Sequence, residues 1–307
     1  MEKNIKEIIK DNKSGSVGIL YKTIDIISRY VADIQCFNID ILIKELNVLY
    51  YAFPKFSVLF NFTNQLFIEI EKIEKSYSNE EKSKKILKFI DDYKKQWKNV
   101  NNKISIIASR HIDFNNKKIL LHSNSHTINE LFCFLSDKRI FSDLTQTVSS
   151  PANEGIIQAK ILASLEYKIN LISDAAIPKY VEDIDFALLG ADTIFEDCFI
   201  NKIGSMAIVL ACNYFKKPVY VIADSRKIIN KSIFPEKLLN LIITEKAKPV
   251  EEIMKNPYNN ISPSNYYYET IPNSLITGFI AETALIKHDG IKKFIKKYKI
   301  SKLFECK

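Results

Sequence analysis

From Lys117 onward the chain alternates short, strongly apolar runs with longer amphipathic segments, and no other feature restricts its fold as much. The runs are KILLHS from Lys118, RIFSDL from Arg139, INLIS from Ile169, FALLGA from Phe186, PVYVIA from Pro218 and LLNLIIT from Leu238. Continuous rather than alternating apolar residues imply strands buried on both faces, and amphipathic segments between them imply helical crossovers joining parallel strands. The expectation is an α/β domain built on a doubly wound, mainly parallel sheet.

The preceding hundred residues read as helices. Ser78 and Glu81 fit a capping box, and Ile86, Ile90, Tyr93, Trp97, Val100 and Ile104 recur every three or four positions after it, which predicts one long helix ending before Asn115-Asn116. A further helix is expected after SGSVG (Ser14 to Gly18), another over Ile39 to Leu49, and, beyond the break at Pro54, one over Phe56 to Ile73. Two domains follow, a helical one over 1–110 and the sheet domain over 111–307, with a continuous helix feeding the first strand.

At 307 residues and 47% hydrophobic content, the chain has enough apolar surface for full cores. No run approaches the ~18 apolar residues of a membrane span, and MEKNIKEIIKDNKSGS lacks a signal-peptide core, so a cytoplasmic protein without membrane contact is expected. The five cysteines (Cys36, Cys133, Cys198, Cys212 and Cys306) never fall in CxxC spacing or beside paired histidines, which argues against structural zinc and a disulfide framework. The formal charge of +8 suggests nucleic acid, but only Arg29, Arg110, Arg139 and Arg226 among 44 basic residues are arginine. Basic runs such as KKFIKKYK (Lys292 to Lys299) alternate with apolar residues at helical spacing and read as solvated faces, so no direct nucleic-acid site is expected.

In a sheet of this kind the polar residues just past the strands converge on one crevice. The strand ends supply His122, Ser123, Asn124 and Ser125; Ser149, Ser150, Pro151 and Gly155; Ser173 and Asp174; Gly190, Ala191 and Asp192, then a short polar excursion to Asn201-Lys202; and Asp224, Ser225, Arg226 and Lys227. Ser125 reads equally as the N-cap of a helix beginning near Thr127, Asp174 as a cap over Ala175 to Val181, His122 as a hydrogen-bonded core residue and His126 as a helix-surface one. Asp192 directly follows a core strand, where burial would raise its pKa toward acid–base use. Lys202 at a helix entrance opposes the helix dipole; an anion held by the N–H groups of Ile203, Gly204 and Ser205 would resolve that conflict.

GADTI followed by NKIGS, with SSPANEGIIQAK, LLHSNS and PVYVIADSRKI in the same order and at similar spacing, resembles the family that joins the alpha, beta and delta subunits of eukaryotic translation initiation factor 2B with ribose-1,5-bisphosphate isomerase and 5-methylthioribose-1-phosphate isomerase. The resemblance covers about residues 104–285, and DNKSGSVGILYKTIDII is similar to the family's N-terminal helical motif. It implies a helical N-terminal domain on a Rossmann-like C-terminal domain, dimerisation through the latter, and a sugar-phosphate pocket at the strand ends. In the family's isomerases a Cys and the Asp of GAD serve the aldose-to-ketose conversion. Asp192 is that Asp, and Ser123 takes the Cys position. A Ser hydroxyl does not exchange a proton near neutrality without a dedicated base, so Ser123 is expected to be inactive.

The remaining substrate contacts the resemblance implies are Asn201, Lys202, Gly204, Ser205, Ser125, Ser150 and Gly155, with Ser150 standing where the family has an Arg. Neither metal nor cofactor is implied. The expected role is an alpha-like regulatory subunit of the initiation guanine-nucleotide-exchange complex, with a non-catalytic pocket for a phosphorylated sugar or nucleotide. Its partners would be a second copy or related subunits, joined through the C-terminal domain, and the GTP-binding initiation factor. The alternative is a diverged sugar-phosphate isomerase that uses Asp192.

Overall fold

The computed structural model describes residues 1–11, 14–245, 247–295 and 299–304. Cys306, Asn12-Lys13 of the N-terminal motif and Lys296–Tyr298 of the basic run lie outside them. Two compact units are formed, one from 1–99, 230–242 and 296–307, the other from 100–229 and 243–295.

The first unit contains helices α1 (Glu2–Ile9), α2 (Ser16–Ala32), α3 (Ile39–Ala52), α4 (Ser57–Glu71) and α5 (Asn79–Trp97). The capping box at α5 is formed: Glu81 N–H donates to Ser78 Oγ, and Ser78 N–H donates to Glu81 Oε2 at 2.8 Å. Each such cap contributes ~1 kcal/mol by satisfying amides that the helix leaves open. Leu20, Ile24, Leu46, Phe60 and Phe67 are fully buried. The Phe60 ring lies 4.7 Å from that of Phe234 and 5.2 Å from that of Phe304, so later parts of the chain join this core through aromatic contacts.

The second unit opens with α6 (Val100–His111) and continues as β1 (Lys118–Leu121), α7 (His126–Asp137), β2 (Asp143–Thr147), α8 (Gly155–Ser164), β3 (Lys168–Ile172), α9 (Ile177–Val181), β4 (Phe186–Leu189), β5 (Thr193–Ile194), β6 (Cys198–Lys202), α10 (Ser205–Tyr214), β7 (Val219–Ile222), β8 (Tyr268–Pro272), β9 (Gly278–Ile280) and β10 (Leu285–Ile286). Its main sheet has the order β10-β9-β7-β4-β1-β2-β3, and every pairing is parallel except β9 with β10. The expected doubly wound, mainly parallel sheet is present. Chain order reverses between β1 and β4, so the residues leaving those two strands, His122-Ser123 and Gly190 to Asp192, flank the switch point where such sheets bind ligands. Leu120, Ala187, Leu189, Val219 and Val221 are fully buried in the core beneath that point.

Several expectations are corrected. LLNLII of LLNLIIT is helical, within Glu236–Ile243: Leu238 and Ile242 are buried one turn apart while Asn240 is exposed, a period of four rather than two. The long N-terminal helix is interrupted at Lys98-Asn99, with Tyr93 buried before the break and Val100 and Ile104 buried after it. The second strand starts at Asp143 rather than Arg139; Arg139 follows α7 in a left-handed conformation (φ 57°). The segment after Asp192 is a buried antiparallel hairpin, β5–β6, joined by β8 into a separate three-stranded sheet. Lys292–Phe294 of the basic run lie in a 3-10 segment, His288–Phe294. No helix among the described residues is long and apolar enough to cross a membrane.

Candidate functional site

The crevice is built outward from His122. This residue is fully buried at the end of β1, with Nδ1 2.7 Å from Thr147 Oγ1 and Nε2 2.8 Å from Ile203 O. Burial pushes its pKa below the ordinary histidine value, which fits a neutral ring whose Nε2–H donates to the carbonyl while Nδ1 accepts from the hydroxyl. It is the hydrogen-bonded core residue that one sequence reading allowed.

His122 also fixes the glycine of NKIGS. Gly204 has φ +101°, and a Cβ there would lie 2.7 Å from His122 Cε1, so both the backbone conformation and the space demand glycine. Gly155 is equally constrained, because a Cβ would come within 2.0 Å of Thr147 O. Its necessity therefore comes from seating α8 against the end of β2.

Ser123 follows in a left-handed conformation (φ 65°), and its N–H donates to Ser149 Oγ at 2.7 Å. Its hydroxyl donates to Glu154 Oε1 at 2.9 Å, and the same oxygen lies 3.1 Å from Lys202 Nζ. The side chains of Lys202 and Glu154 are only 9% and 6% exposed, which makes this a buried ion pair. Lys202 ends β6 rather than starting α10, and its ammonium lies 4.4 Å from the Tyr267 ring centre and 5.2 Å from that of Tyr268. Burial raises the Tyr268 hydroxyl well above the usual tyrosine range, with the charges of Asp192 and Glu154 adding to the effect.

Asp192 is half-buried, and its N–H donates to Ile200 O at 2.9 Å, which opens the β5–β6 hairpin. Asn201 Nδ2 donates to Ser205 Oγ at 2.8 Å, and that hydroxyl donates to Lys202 O at 2.6 Å, so Asn201 and Ser205 bind each other. Ser125 N-caps α7 by accepting from Ile128, and Gly190 leaves room for it, since a Cβ there would lie 3.1 Å from Ser125 Oγ. Ser150 is exposed; its N–H donates to Asp174 at 2.8 Å and its hydroxyl to Asn153 at 3.3 Å.

The helix entrance expected to hold an anion already faces one from this chain. Glu269 of β8 accepts the N–H of Met206 at 2.8 Å, with the amides of Gly204 and Ser205 alongside, and burial still leaves its pKa raised. Lys227 is buried and donates to Ala191 O, while Arg226 forms a bidentate buried pair with Asp224 at 2.8 and 3.0 Å. Burial tends to raise Asp224, but the Arg226 charge and hydrogen bonds outweigh it and hold the carboxyl below the ordinary Asp value. Among the described residues no group of three His, Cys, Asp or Glu side chains is placed to hold a metal.

Ser123 and Lys202 thus share Glu154, and the charges of Asp192 and Glu154 both act on Tyr268; Glu154 and Tyr268 are not singled out from the sequence. Glu154 was visible inside SSPANEGIIQAK, where an acid directly before a helix reads as an ordinary first-turn residue. Tyr267 and the β8 residues Tyr268 and Glu269 lie more than sixty residues after Lys202 and carry no motif.

A model of the initiation factor 2 subunit family matches residues 12–288. The chain belongs to that family. Within the family it is 30% identical over 182 residues to the ribose 1,5-bisphosphate isomerase of Methanocaldococcus jannaschii, a stretch covering 59% of this chain and 58% of the isomerase. It is 31% identical over 126 residues to translation initiation factor eIF2B subunit alpha of Dictyostelium discoideum, covering 41% of this chain and 39% of that subunit. These matched stretches span less than two thirds of either relative. The fold is shared with the Pyrococcus horikoshii translation initiation factor eIF-2B (TM-score 0.76, 18% identity, 93% of this chain and 96% of that one). It is also shared with a chain of the tetrameric eIF2B-beta2-delta2 complex of C. thermophilum (TM-score 0.74, 14% identity, 91% of each chain), so family subunits assemble.

Proposed function

We propose that this chain is an alpha-like regulatory subunit of a translation-initiation guanine-nucleotide-exchange complex, with a sugar-phosphate-type pocket at the β1/β4 switch point that does not turn over its ligand. One observation carries the reading. The hydroxyl in the position that the resemblance assigns to the isomerase Cys donates to Glu154, and Glu154 is also the counter-ion of Lys202. A Ser hydroxyl ionises far above a thiol, and the carboxylate it donates to is already engaged by the Lys202 ammonium rather than free to serve as its base; loss of a matched acid or base removes ~10²–10⁴ of rate. The partners on this reading are a second copy or related subunits, joined through the domain spanning 111–307, and the GTP-binding initiation factor, in the cytoplasm. Sedimentation at micromolar concentration tests the assembly: a dimer or larger species is expected, and a monomer would remove the reading's support.

The second reading is a diverged aldose–ketose isomerase with Asp192 as base. It is favoured by the half-buried position of Asp192 and the effect of its charge at the Tyr268 hydroxyl. Turnover of ribose 1,5-bisphosphate separates the two.

A further inference from the structure

The carboxylate of Glu154 is unevenly used. Its Oε1 takes both the Ser123 hydroxyl and the Lys202 ammonium, whereas Oε2 is buried and accepts no hydrogen bond. A buried acceptor without a donor carries a free-energy cost that folded proteins rarely leave in place, and the cost is larger for a charged group. The carboxylate touches Ser123, which leaves β1 at the switch point, and lies beside Lys202 and within electrostatic reach of Tyr268.

The ammonium and N–H groups around it already face carboxylates of this chain. Lys202 faces Glu154; the first amides of α10 face Glu269; the N–H groups of Ser149 and Ser150 donate to Asp174 at 3.0 and 2.8 Å. A phosphate brought to Lys202 would meet the buried charge of Glu154 in a medium that screens it poorly. A hydroxyl brought to the same place would instead donate to Oε2 and complete that carboxylate.

We infer that Glu154 is a specificity-determining residue: Oε2 accepts a hydroxyl hydrogen of the ligand, so the pocket selects a sugar carrying at most one phosphate, with a hydroxyl-bearing end toward Lys202. The inference rests on the pocket reading above and names the ligand chemistry that the pocket admits.

Calorimetric titration of the full chain with ribose 5-phosphate and ribose 1,5-bisphosphate tests it, on the wild type and on Glu154→Gln. Wild type is expected to bind the monophosphate at least ~10-fold more tightly, the size of one charge-assisted hydrogen bond gained and one repulsion avoided. Glu154→Gln, which keeps the shape and removes the charge, is expected to shrink that ratio by ~10-fold or invert it. A wild-type preference for the bisphosphate overturns the inference even if Glu154→Gln fails to fold. So does an unchanged ratio in a folded Glu154→Gln, which would make Glu154 only a partner of Lys202. If wild type binds neither sugar, the pocket reading itself fails and the inference falls with it, an outcome recognisable because it needs no variant.

Discussion

Glu269 Oε1 accepts the backbone N–H of Met206 at 2.8 Å, so a carboxylate from β8 caps the first turn of α10. The contact places a titratable carboxyl group at the N-terminal end of the helix. The NKIGS turn, which by sequence alone asks for a bound anion, is closed by this chain's own side chain.

This cap makes stability depend on pH in a direction opposite to most carboxylates. Burial raises the Glu269 pKa above its unfolded value of 4.5, so the folded state binds the proton more readily. Its contribution is fully present below that unfolded value and is lost as pH rises through the folded pKa. Glu269→Gln should therefore gain stability over wild type near neutrality, with the gain fading as the pH is lowered through the carboxylate range. Urea unfolding at a series of pH values checks this, and a gain that persists unchanged in acid would refute it.

Asp224 runs the other way. Arg226 holds its carboxyl below the ordinary value of 3.8, so its stabilisation is present above that pH and disappears as pH falls through the lower folded-state pKa. Removing the arginine leaves a buried charge without its partner. Arg226→Met is expected to cost about 3–5 kcal/mol in urea denaturation, whereas Asp224→Asn with Arg226→Met together should cost markedly less. Equal losses in the single and double variants would show that the pair is not the relevant unit.

The glycine of NKIGS is required by geometry. Gly204→Ala meets both a left-handed backbone and His122 Cε1 at 2.7 Å, and His122 is held from two sides by Thr147 and Ile203. A destabilisation of about 2–3 kcal/mol is expected from strain and displacement combined, read as a lower urea midpoint at unchanged slope. Wild-type stability in this variant would mean that the turn relaxes freely.

Thiol reactivity should follow burial. Burial raises the Cys212 pKa to about 12, and Cys198 is also buried, whereas Cys36 is exposed. Alkylation at pH 8 followed by peptide mass mapping should modify Cys36 in the native protein, and Cys198 and Cys212 only after unfolding. Native labelling of Cys212 would contradict the packing of α10 on the sheet.

What the sequence made legible was the apolar framework. KILL, FALL and VYVI are strands whose continuous apolar runs are buried on both faces, whereas NLI lies in the edge strand β3 and leaves Asn170 and Leu171 exposed, contrary to the expectation of two-face burial. The misread segments are those where the pattern is ambiguous or polar. LLNLIIT is as apolar as a strand, and the exposure of Asn240 between the buried Leu238 and Ile242 separates the two states. The end of β2 was hidden because Gln146 and Thr147 are polar, yet both are fully buried and hydrogen-bonded, to Gln158 and His122. The candidate site was half legible for the same reason. Ser123 and Lys202 stand out by motif, but the Glu154 and Glu269 carboxylates that occupy their surroundings come from positions whose chemistry appears only when strands are brought together.

The central claim, a pocket that binds without catalysis, is tested most directly by a coupled assay for ribulose 1,5-bisphosphate formation from ribose 1,5-bisphosphate, run on wild type and Asp192→Asn side by side. The account predicts no turnover above background in either protein, with wild type remaining folded and assembled under the assay conditions. Turnover by wild type that disappears in Asp192→Asn would contradict it and make the chain an isomerase.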